Sequence, residues 1–417
     1  MNTFDPAIFK PTLPDSVLYI LQTLQNAGYE GYIVGGCVRD MILCEMGYSL
    51  ALPNDYDIAT SALPQEIMAL FPHTIPTGLK YGTISVIIES CSYEVTTFRV
   101  DGHYSNARSP DSVYFSTSLL ADVNRRDFSI NALAYTPHKG LIDMVGGIED
   151  ILHKQIVCVG NPMERFSEDA LRILRALRFS ATLGFGIESH TKAALYECAV
   201  SLKKVAKERI RVELSKLLCG AYAQDVLSEY ISLFVIMIPQ IPPQSDFSVF
   251  ESLCGCEVRV KWACFLYPCK ACADGILRAL KFDNKTREYV LALLRLYEMP
   301  LGMSAQELKI LIANLGGRDK GQNVSGERLI SDILMIKAAQ KVDRELLEQF
   351  REGFNAILDS NLPLSIAELC INGDDLLDRG MRGKRIGEVL QMLLMKVLNE
   401  EIEHKRPTLL RYISKLA

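Results

Sequence analysis

Residues 34–60 read VGGCVRDMILCEMGYSLALPNDYDIAT. The apolar run Tyr32-Ile33-Val34 enters a Gly35-Gly36 turn, an Arg39-Asp40 pair follows, and Asp55-Tyr56-Asp57 then opens a strand-like run. Successive strand residues point to opposite faces, so Asp55 and Asp57 share a face while Tyr56 turns into the core. Two adjacent carboxylates repel unless a positive charge lies between them. Mg²⁺ meets that need, because it takes hard oxygen ligands and also accepts phosphate oxygens. A solvated Asp-rich turn after Pro53 is the competing reading of so short a motif. Gly35 and Gly36 allow backbone N–H groups to approach a phosphate closely, and Arg39 stands where a guanidinium could clamp it.

Working outward, TISVIIE (83–89) and YEVTTFRV (93–100) are β-branched, alternating runs, predicted as a hairpin across the Cys91-Ser92 link. Glu94 on the second strand could supply a third carboxylate to the same metals. Residues 15–27 have helical spacing and stop at Gly28, and 63–71 reads as a helix opened by Pro64. Strands and helices mix over roughly the first 150 residues, and from about residue 160 strand signals vanish and helical periodicity takes over. The expected class is α+β, with a mixed-sheet head followed by an all-α remainder.

The chain has 417 residues, 49% hydrophobic and 23% charged, with a formal net charge of −5. These values fit a globular chain of several domains. No secretory leader is legible in MNTFDPAIFKPTLPDS, and no apolar run reaches the ~18 residues a bilayer span needs. The run YISLFVIMIPQIPP is broken by prolines and reads as a buried helix end. The twelve cysteines lack a small-domain disulfide spacing and read as reduced cytosolic thiols, so the expected compartment is cytoplasmic, without membrane association.

A second constellation is ERFSEDALRILRALRFSATLGFG, 164–186. Ser167, Asp169 and Ala170 resemble a helix start with acids in its first turn. At 100° per residue Ala170, Ile173, Leu174, Leu177 and Ala181 form a packing face, and Asp169, Arg172, Arg175 and Arg178 line the other half over about 13 Å. Ion pairing on a solvated face would explain such spacing too. Three arginines without a lysine point instead to planar, bidentate recognition of phosphates and base edges. A third cluster, NRRDFSINALAY (124–135), sets two arginines and an aspartate before what reads as an amphipathic helix.

Together GGCVRD, DYDIAT, YEVTTFR, RRDFSINALAY, LIDMVGGIEDI and RFSEDALRILRALRF closely resemble the class II template-independent nucleotidyltransferases, which comprise the tRNA CCA-adding enzymes and bacterial poly(A) polymerases of the polymerase β-like superfamily. The resemblance implies a catalytic head at 1–152, a helical neck at 153–225 that recognises the base, a body at 226–350 and a tRNA-binding tail at 351–417. It implies that Asp55 and Asp57 hold two Mg²⁺ ions with Glu94 as third carboxylate. Gly36, Arg39 and Arg126 would contact the incoming triphosphate, Asp169 and Arg172 would read the base, and Arg175 and Arg178 would hold phosphate and orient the nucleotide. Residues 99–113, RVDGHYSNARSPDSV, match the flexible loop used in switching from C to A addition. The implied reaction is stepwise addition of C, C and A to the tRNA 3′ end from CTP and ATP. A poly(A) polymerase, or a CC-only or A-only enzyme, is the sibling alternative, and a non-catalytic RNA-binding relative the remote one.

Base choice has a direct chemical reading. An ionised Asp169 only accepts hydrogen bonds and Arg172 only donates. Cytosine and adenine each offer an amine beside a ring-nitrogen acceptor, whereas uracil and guanine offer a carbonyl beside an N–H. The chain departs from the family in CEMGYSLALPN (44–54), where the link is about six residues longer, expected as a surface loop that leaves the metal site unchanged. Tyr267 and Pro268 stand where relatives with a fused phosphohydrolase domain carry a His-Asp pair, so that activity is not expected. Cys254, Cys256, Cys264, Cys269 and Cys272 are expected to pack in the core rather than bind zinc. Two basic runs, Lys203, Lys204, Lys207, Arg209 and Arg211, and Arg379, Arg382, Lys384 and Arg385, are expected to cradle RNA backbone.

Overall fold

The helix α1 (Asp15–Asn26) buries Val17, Ile20, Leu21 and Leu24, the stripe expected of its spacing, and ends before Gly28, whose φ of 88° only glycine adopts readily. It leads into β1 (Gly31–Val34), the Gly35 turn, and α2 (Gly36–Glu45). This is a computed structural model that describes residues 4–48, 53, 55–102, 112–319 and 324–415. Contacts divide it into two compact units, Met1–Tyr222 with Ser232–Met237, and Ala223–Ile231 with Ile238–Ala417.

In the first unit β2 (Asp57–Thr60), α3 (Pro64–Leu70), β3 (Thr74–Gly78), β4 (Thr83–Ile88) and β5 (Cys91–Thr97) follow. Then come β6 (Arg99–Asp101), β7 (Val113–Phe115), α4 (Leu119–Asn124), β8 (Ala134–Thr136), β9 (Gly140–Ile142) and α5 (Gly147–Leu152). Seven strands form a mixed sheet in the order β3-β4-β5-β2-β1-β8-β9, with β2 and β5 parallel and the other neighbours antiparallel. Tyr32, Val34, Ala59, Phe98, Val123, Ala134 and Val159 are among the residues of a core cluster in this head. The first carboxylate, Asp55, precedes β2 rather than lying within it, yet the alternation holds: Asp55 and Asp57 are exposed and Tyr56 is buried.

Two expectations for the head need correcting. The β4–β5 hairpin turns at Glu89 and Ser90, both with positive φ, and Cys91-Ser92 already belongs to β5. The stretch after Arg125-Arg126-Asp127 is not an amphipathic helix but a single 3-10 turn, Ser129–Asn131, followed by β8. Tertiary pairing with β1 and β9 overrides the helical pattern of these few residues. The Asp143 carboxylate accepts the N–H groups of Val145, Gly146, Gly147 and Ile148 and so caps the start of α5. A Cβ at Gly147 would lie 2.2 Å from the Ser129 carbonyl oxygen, so this close approach requires glycine.

The helical part of the first unit contains α6 (Pro162–Glu168), α7 (Leu171–Leu183), α8 (Ser189–Cys198) and α9 (Lys207–Leu218). Strand signals do not end entirely at 160, because β10 (Gln155–Ile156) pairs in parallel with β11 (Gly186–Ile187). Ser167 does not start the arginine helix. It ends α6, donating its hydroxyl to the Met163 carbonyl, and the chain breaks at Asp169, with φ −142° and ψ 100°, before α7 begins. Within the insert, α2 continues to Glu45, while residues 49–52 and 54 lie outside the described residues.

The second unit consists mainly of helices: α10 (Ala223–Glu229) and, beyond α11 (Ile231–Met237), which belongs to the first unit from Ser232 on, α12 (Val258–Leu266), α13 (Ala273–Ala279), α14 (Asn284–Leu296), α15 (Ala305–Asn314) and α16 (Gly326–Ala339). They are followed by α17 (Arg344–Leu358), α18 (Gly373–Leu377), α19 (Lys384–Leu398) and α20 (Arg406–Ile413). Fully buried Trp262 packs edge-on against Phe265 and Phe282, and Tyr289 donates to Asp332 at 2.6 Å. Arg318 ties together the carbonyls of Leu358, Ser360 and Leu362. Of the five clustered cysteines, Cys264 and Cys269 are buried as expected, but Cys254 and Cys272 are exposed and Cys256 is half-buried. The α11 segment ends just before Pro239 with Leu233, Phe234 and Met237 buried, and no helix among the described residues is long and apolar enough to cross a membrane.

Candidate active site

The Gly35 turn brings backbone close to side chains of two other segments. A Cβ built there would lie 3.3 Å from Arg126 Nη1 and 3.9 Å from Asp57 Oδ2. Register places the carboxylates. Val34 of β1 pairs with Asp57, and Ile58 of β2 pairs with Val95, so Glu94 lies beside Asp57 on the same face of the sheet, and both are exposed. The Asp57 carboxyl is pushed above its ordinary value by loss of surrounding water, then by the charges of Asp55 and Glu94, with Arg126 acting in the opposite direction. Like charges held this close fit a cation. Among the described residues no three acidic, imidazole or thiol groups converge as a complete metal cage. Asp55, Asp57 and Glu94 are thus neighbours in charge rather than a closed three-ligand group.

A cavity of about 860 Å³ opens beside Asp57. It is lined by eight of the ten residues expected to contact metal or nucleotide: Gly36, Arg39, Asp57, Arg126, Asp169, Arg172, Arg175 and Arg178. Asp55 and Glu94 do not line it, although their charges act on Asp57. The four residues predicted along one helix face do share the cavity, but Asp169 does so from the break before α7. Its Oδ1 caps α7 by accepting the Leu171 N–H at 3.1 Å.

Each arginine of the lining is already paired with a carboxylate. Arg172, only 8% exposed, donates to Glu168 at 2.9 Å and to the carbonyls of Arg165 and Arg125. Arg175 pairs with Asp127 at 2.6 Å, Arg178 with Glu213 at 2.7 Å, and Arg209 with both oxygens of Asp169 at 2.7 and 3.3 Å. Arg125 and Arg126 share the fully buried Asp122, Arg39 pairs with Asp40, and Arg99 with Asp101. Burial by itself would raise the Asp127 carboxyl, but the Arg175 guanidinium outweighs it and holds the group below the usual carboxylate range. The guanidiniums of Arg39, Arg175 and Arg178 also gather around the Phe179 ring, 5.1, 5.5 and 4.0 Å from its centroid.

Several lining residues escaped the sequence reading. Asp127, Asn131 and Phe179 lie inside motifs quoted above, and the third position of Arg125-Arg126-Asp127 was the available signal for Asp127. Asn131 accepts from Arg39 at 2.6 Å. Arg209 was grouped with a surface basic run, and the structure places it in the cavity instead. Nothing local marks Tyr81. Of the expected RNA-contacting residues, Lys203 and Lys204 are exposed on a 3-10 turn, Lys207 is half-buried at the start of α9, and Arg382, Lys384 and Arg385 are exposed around the start of α19. The loop matched at 99–113 is described only at its ends, as the β6–β7 pair; residues 103–111 lie outside the described residues.

Residues 31–157 match the family described as poly A polymerase head domain, 184–241 a probable RNA- and SrmB-binding site of polymerase A, and 257–413 a putative tRNA nucleotidyltransferase domain 2. A CCA-adding enzyme from Leuconostoc citreum is 35% identical, the match covering 97% of this chain and 98% of that one. The chain belongs to the CCA-adding enzyme family. A Bacillus cereus CCA-adding enzyme is 40% identical over 66% of this chain and 69% of its own length. The fold agrees too: the Bacillus stearothermophilus CCA-adding enzyme solved in complex with CTP has a TM-score of 0.77 at 30% identity, covering 98% of both chains. Membership makes this chain a nucleotidyltransferase, of a class that generally uses divalent metals.

Proposed function

We propose that this CCA-adding family member adds C, C and A in turn to the 3′ end of tRNA, using CTP and ATP and releasing pyrophosphate, in the cytoplasm. The observation that carries this reading is one cavity that joins the Asp57 carboxylate to the Asp169–Arg172 pair and the arginines of α7. The relatives' names and the CTP in the B. stearothermophilus structure support the choice of reaction. In this reading the four divisions at 1–152, 153–225, 226–350 and 351–417 serve as head, neck, body and tail.

Asp55 and Asp57, with Glu94 beside them, would hold Mg²⁺. Bound there, the metal would supply Lewis-acid charge at the attacking 3′ oxygen and at the triphosphate. The remaining work falls to the chain's own groups. The Gly36 backbone, Arg39 and Arg126 bind the triphosphate, and Arg175 and Arg178 hold phosphate and orient the nucleotide. Asp169 and Arg172 read the base edge. To do so they exchange their present partners, Arg209 and Glu168, for the base, and uracil or guanine leaves both groups unsatisfied, a mismatch that can cost orders of magnitude in rate. Lys203, Lys204, Lys207, Arg382, Lys384 and Arg385 would hold RNA backbone. Basic residues in the first turn of α19 oppose its dipole, an arrangement that suits a bound anion there.

The test offers purified protein and Mg²⁺ with tRNA ending at the discriminator base, at -C or at -CC, together with CTP, ATP or both, followed by 3′-end sequencing. Growth to CCA and then a stop is expected. A halt at CC, addition of A alone, or extension into poly(A) would replace the reading with that of a sibling. Changing Asp55 to Ala is expected to abolish incorporation while tRNA binding persists.

A further inference from the structure

The cavity lining includes one aromatic residue on the sheet side, Tyr81, to which none of the roles above gives work. It closes the 3-10 turn Leu79–Tyr81 between β3 and β4. The β4–β5 register sets Ser85 across from Glu94 and Thr83 across from Thr96, so these four side chains leave the face that carries Asp57. Their hydroxyls are linked, Thr83 to Thr96 at 3.0 Å and Ser85 to Thr77 at 2.8 Å. A row of linked hydroxyls, with Ser85 itself buried, therefore runs across the sheet from Glu94 to the Tyr81 turn. At ~3.3 Å per residue it is roughly 10 Å long, the dimension of one nucleotide.

The turn is firmly seated. Arg99 donates to the Tyr81 carbonyl and to Asp101, and its guanidinium lies 5.8 Å from the Tyr81 ring centroid. Gly82, at φ 83°, approaches Phe115 so closely that a Cβ would lie 2.8 Å from that ring. Lys80 is exposed, with its ammonium 5.5 Å from the Tyr81 centroid, free to swing to a phosphate.

We infer that Tyr81 is the stacking platform for the base of the primer's 3′-terminal nucleotide. The inference deepens the proposed function and rests on it. The two bases in the site face different demands. The incoming base must be discriminated, which needs the hydrogen bonds of Asp169 and Arg172. The primer's last base changes from discriminator to C to C between cycles, and it must be accepted each time. Stacking on an aromatic ring meets that demand, because every base has a π-face.

The experiment extends tRNA ending in -CC with ATP, using wild type, Tyr81→Ala and Tyr81→Phe, each with a normal or an abasic 3′-terminal nucleotide. Melting curves confirm that the variants fold. Tyr81→Ala is expected to raise the KM for tRNA about tenfold to a hundredfold, the range given by loss of one base–aromatic stack, with the KM for ATP unchanged and Tyr81→Phe near wild type. The abasic primer should weaken wild type by a similar factor and Tyr81→Ala hardly at all. Additive losses, or an equal rise in the ATP KM, would overturn the platform. Failure of wild type to extend the normal primer would instead overturn the proposed function.

Discussion

At the residue scale, the carboxylates of the site divide into two kinds by their partners. Asp57 is crowded by two like charges, whereas Asp127 is buried against Arg175. Removing the first should spare the fold and end the chemistry. Asp57→Ala is expected to lower the rate of single-nucleotide addition roughly a thousandfold or more, since a lost metal position forfeits several kcal/mol of charge stabilisation. Its melting temperature should be no lower than wild type's. Asp127→Asn should instead cost stability, about 1–2 kcal/mol, because Arg175, a third exposed, keeps only its longer contact to Glu213 at 3.8 Å. The sign with pH follows from Asp127's depressed value. Its contribution is complete above the unfolded carboxyl's pKa of about 3.9 and disappears as pH falls through the lower folded value. Urea midpoints of wild type and variant should therefore differ at pH 7 and converge below about pH 4; a constant gap would show that the pair does not titrate. Arg172→Ala is expected to relax the preference for C and A over U and G more than it weakens triphosphate binding. Misincorporation assays with each nucleotide alone would expose an unchanged preference.

At the element scale, regular periodicity was easiest to read. The stripe of α1, the hairpin strands β4 and β5, and the Pro64 helix start all carry their own local signals, and the packing face of α7 did as well. Two segments misled because a short local pattern lost to a distant partner. NALAY looks helical but completes the sheet between β1 and β9, and Ser167 looks like a cap but ends the preceding helix. The cavity lining was legible where one motif supplied both spacing and chemistry, as with Asp57 or the arginine ladder, although Asp55 itself does not line it. It was illegible where a side chain arrives from elsewhere: Arg209 comes from α9 and Tyr81 from a turn whose only mark is its position. The α7–α9 contact itself can be tested. A Cβ at Gly220 would lie 2.3 Å from the Ala181 carbonyl oxygen. Gly220→Ala should therefore push α7 away, with a cost of about 1–3 kcal/mol in chemical denaturation and a lower affinity for CTP and ATP alike.

At the scale of the whole molecule, the cavity beside Asp57 and the exposed cations of α19 belong to different compact units. Charge reversal at Lys384 and Arg385 should weaken tRNA binding and flatten its dependence on salt, because fewer counterions are released from the RNA. The KM for CTP should be unaffected, and a parallel change in both constants would count against a backbone-holding role. The eight arginines of the cavity carry one more consequence. They are matched by seven carboxylates, Asp40, Asp101, Asp122, Asp127, Glu168, Asp169 and Glu213. The pocket is thus close to electroneutral and attracts stray anions only feebly. Inorganic phosphate or sulfate gains little by entering, since each guanidinium it captured would strand an acid. Under the proposed function admission is a swap of partners, which a ligand bringing a base edge, a chain of phosphates and its own cations would complete at once.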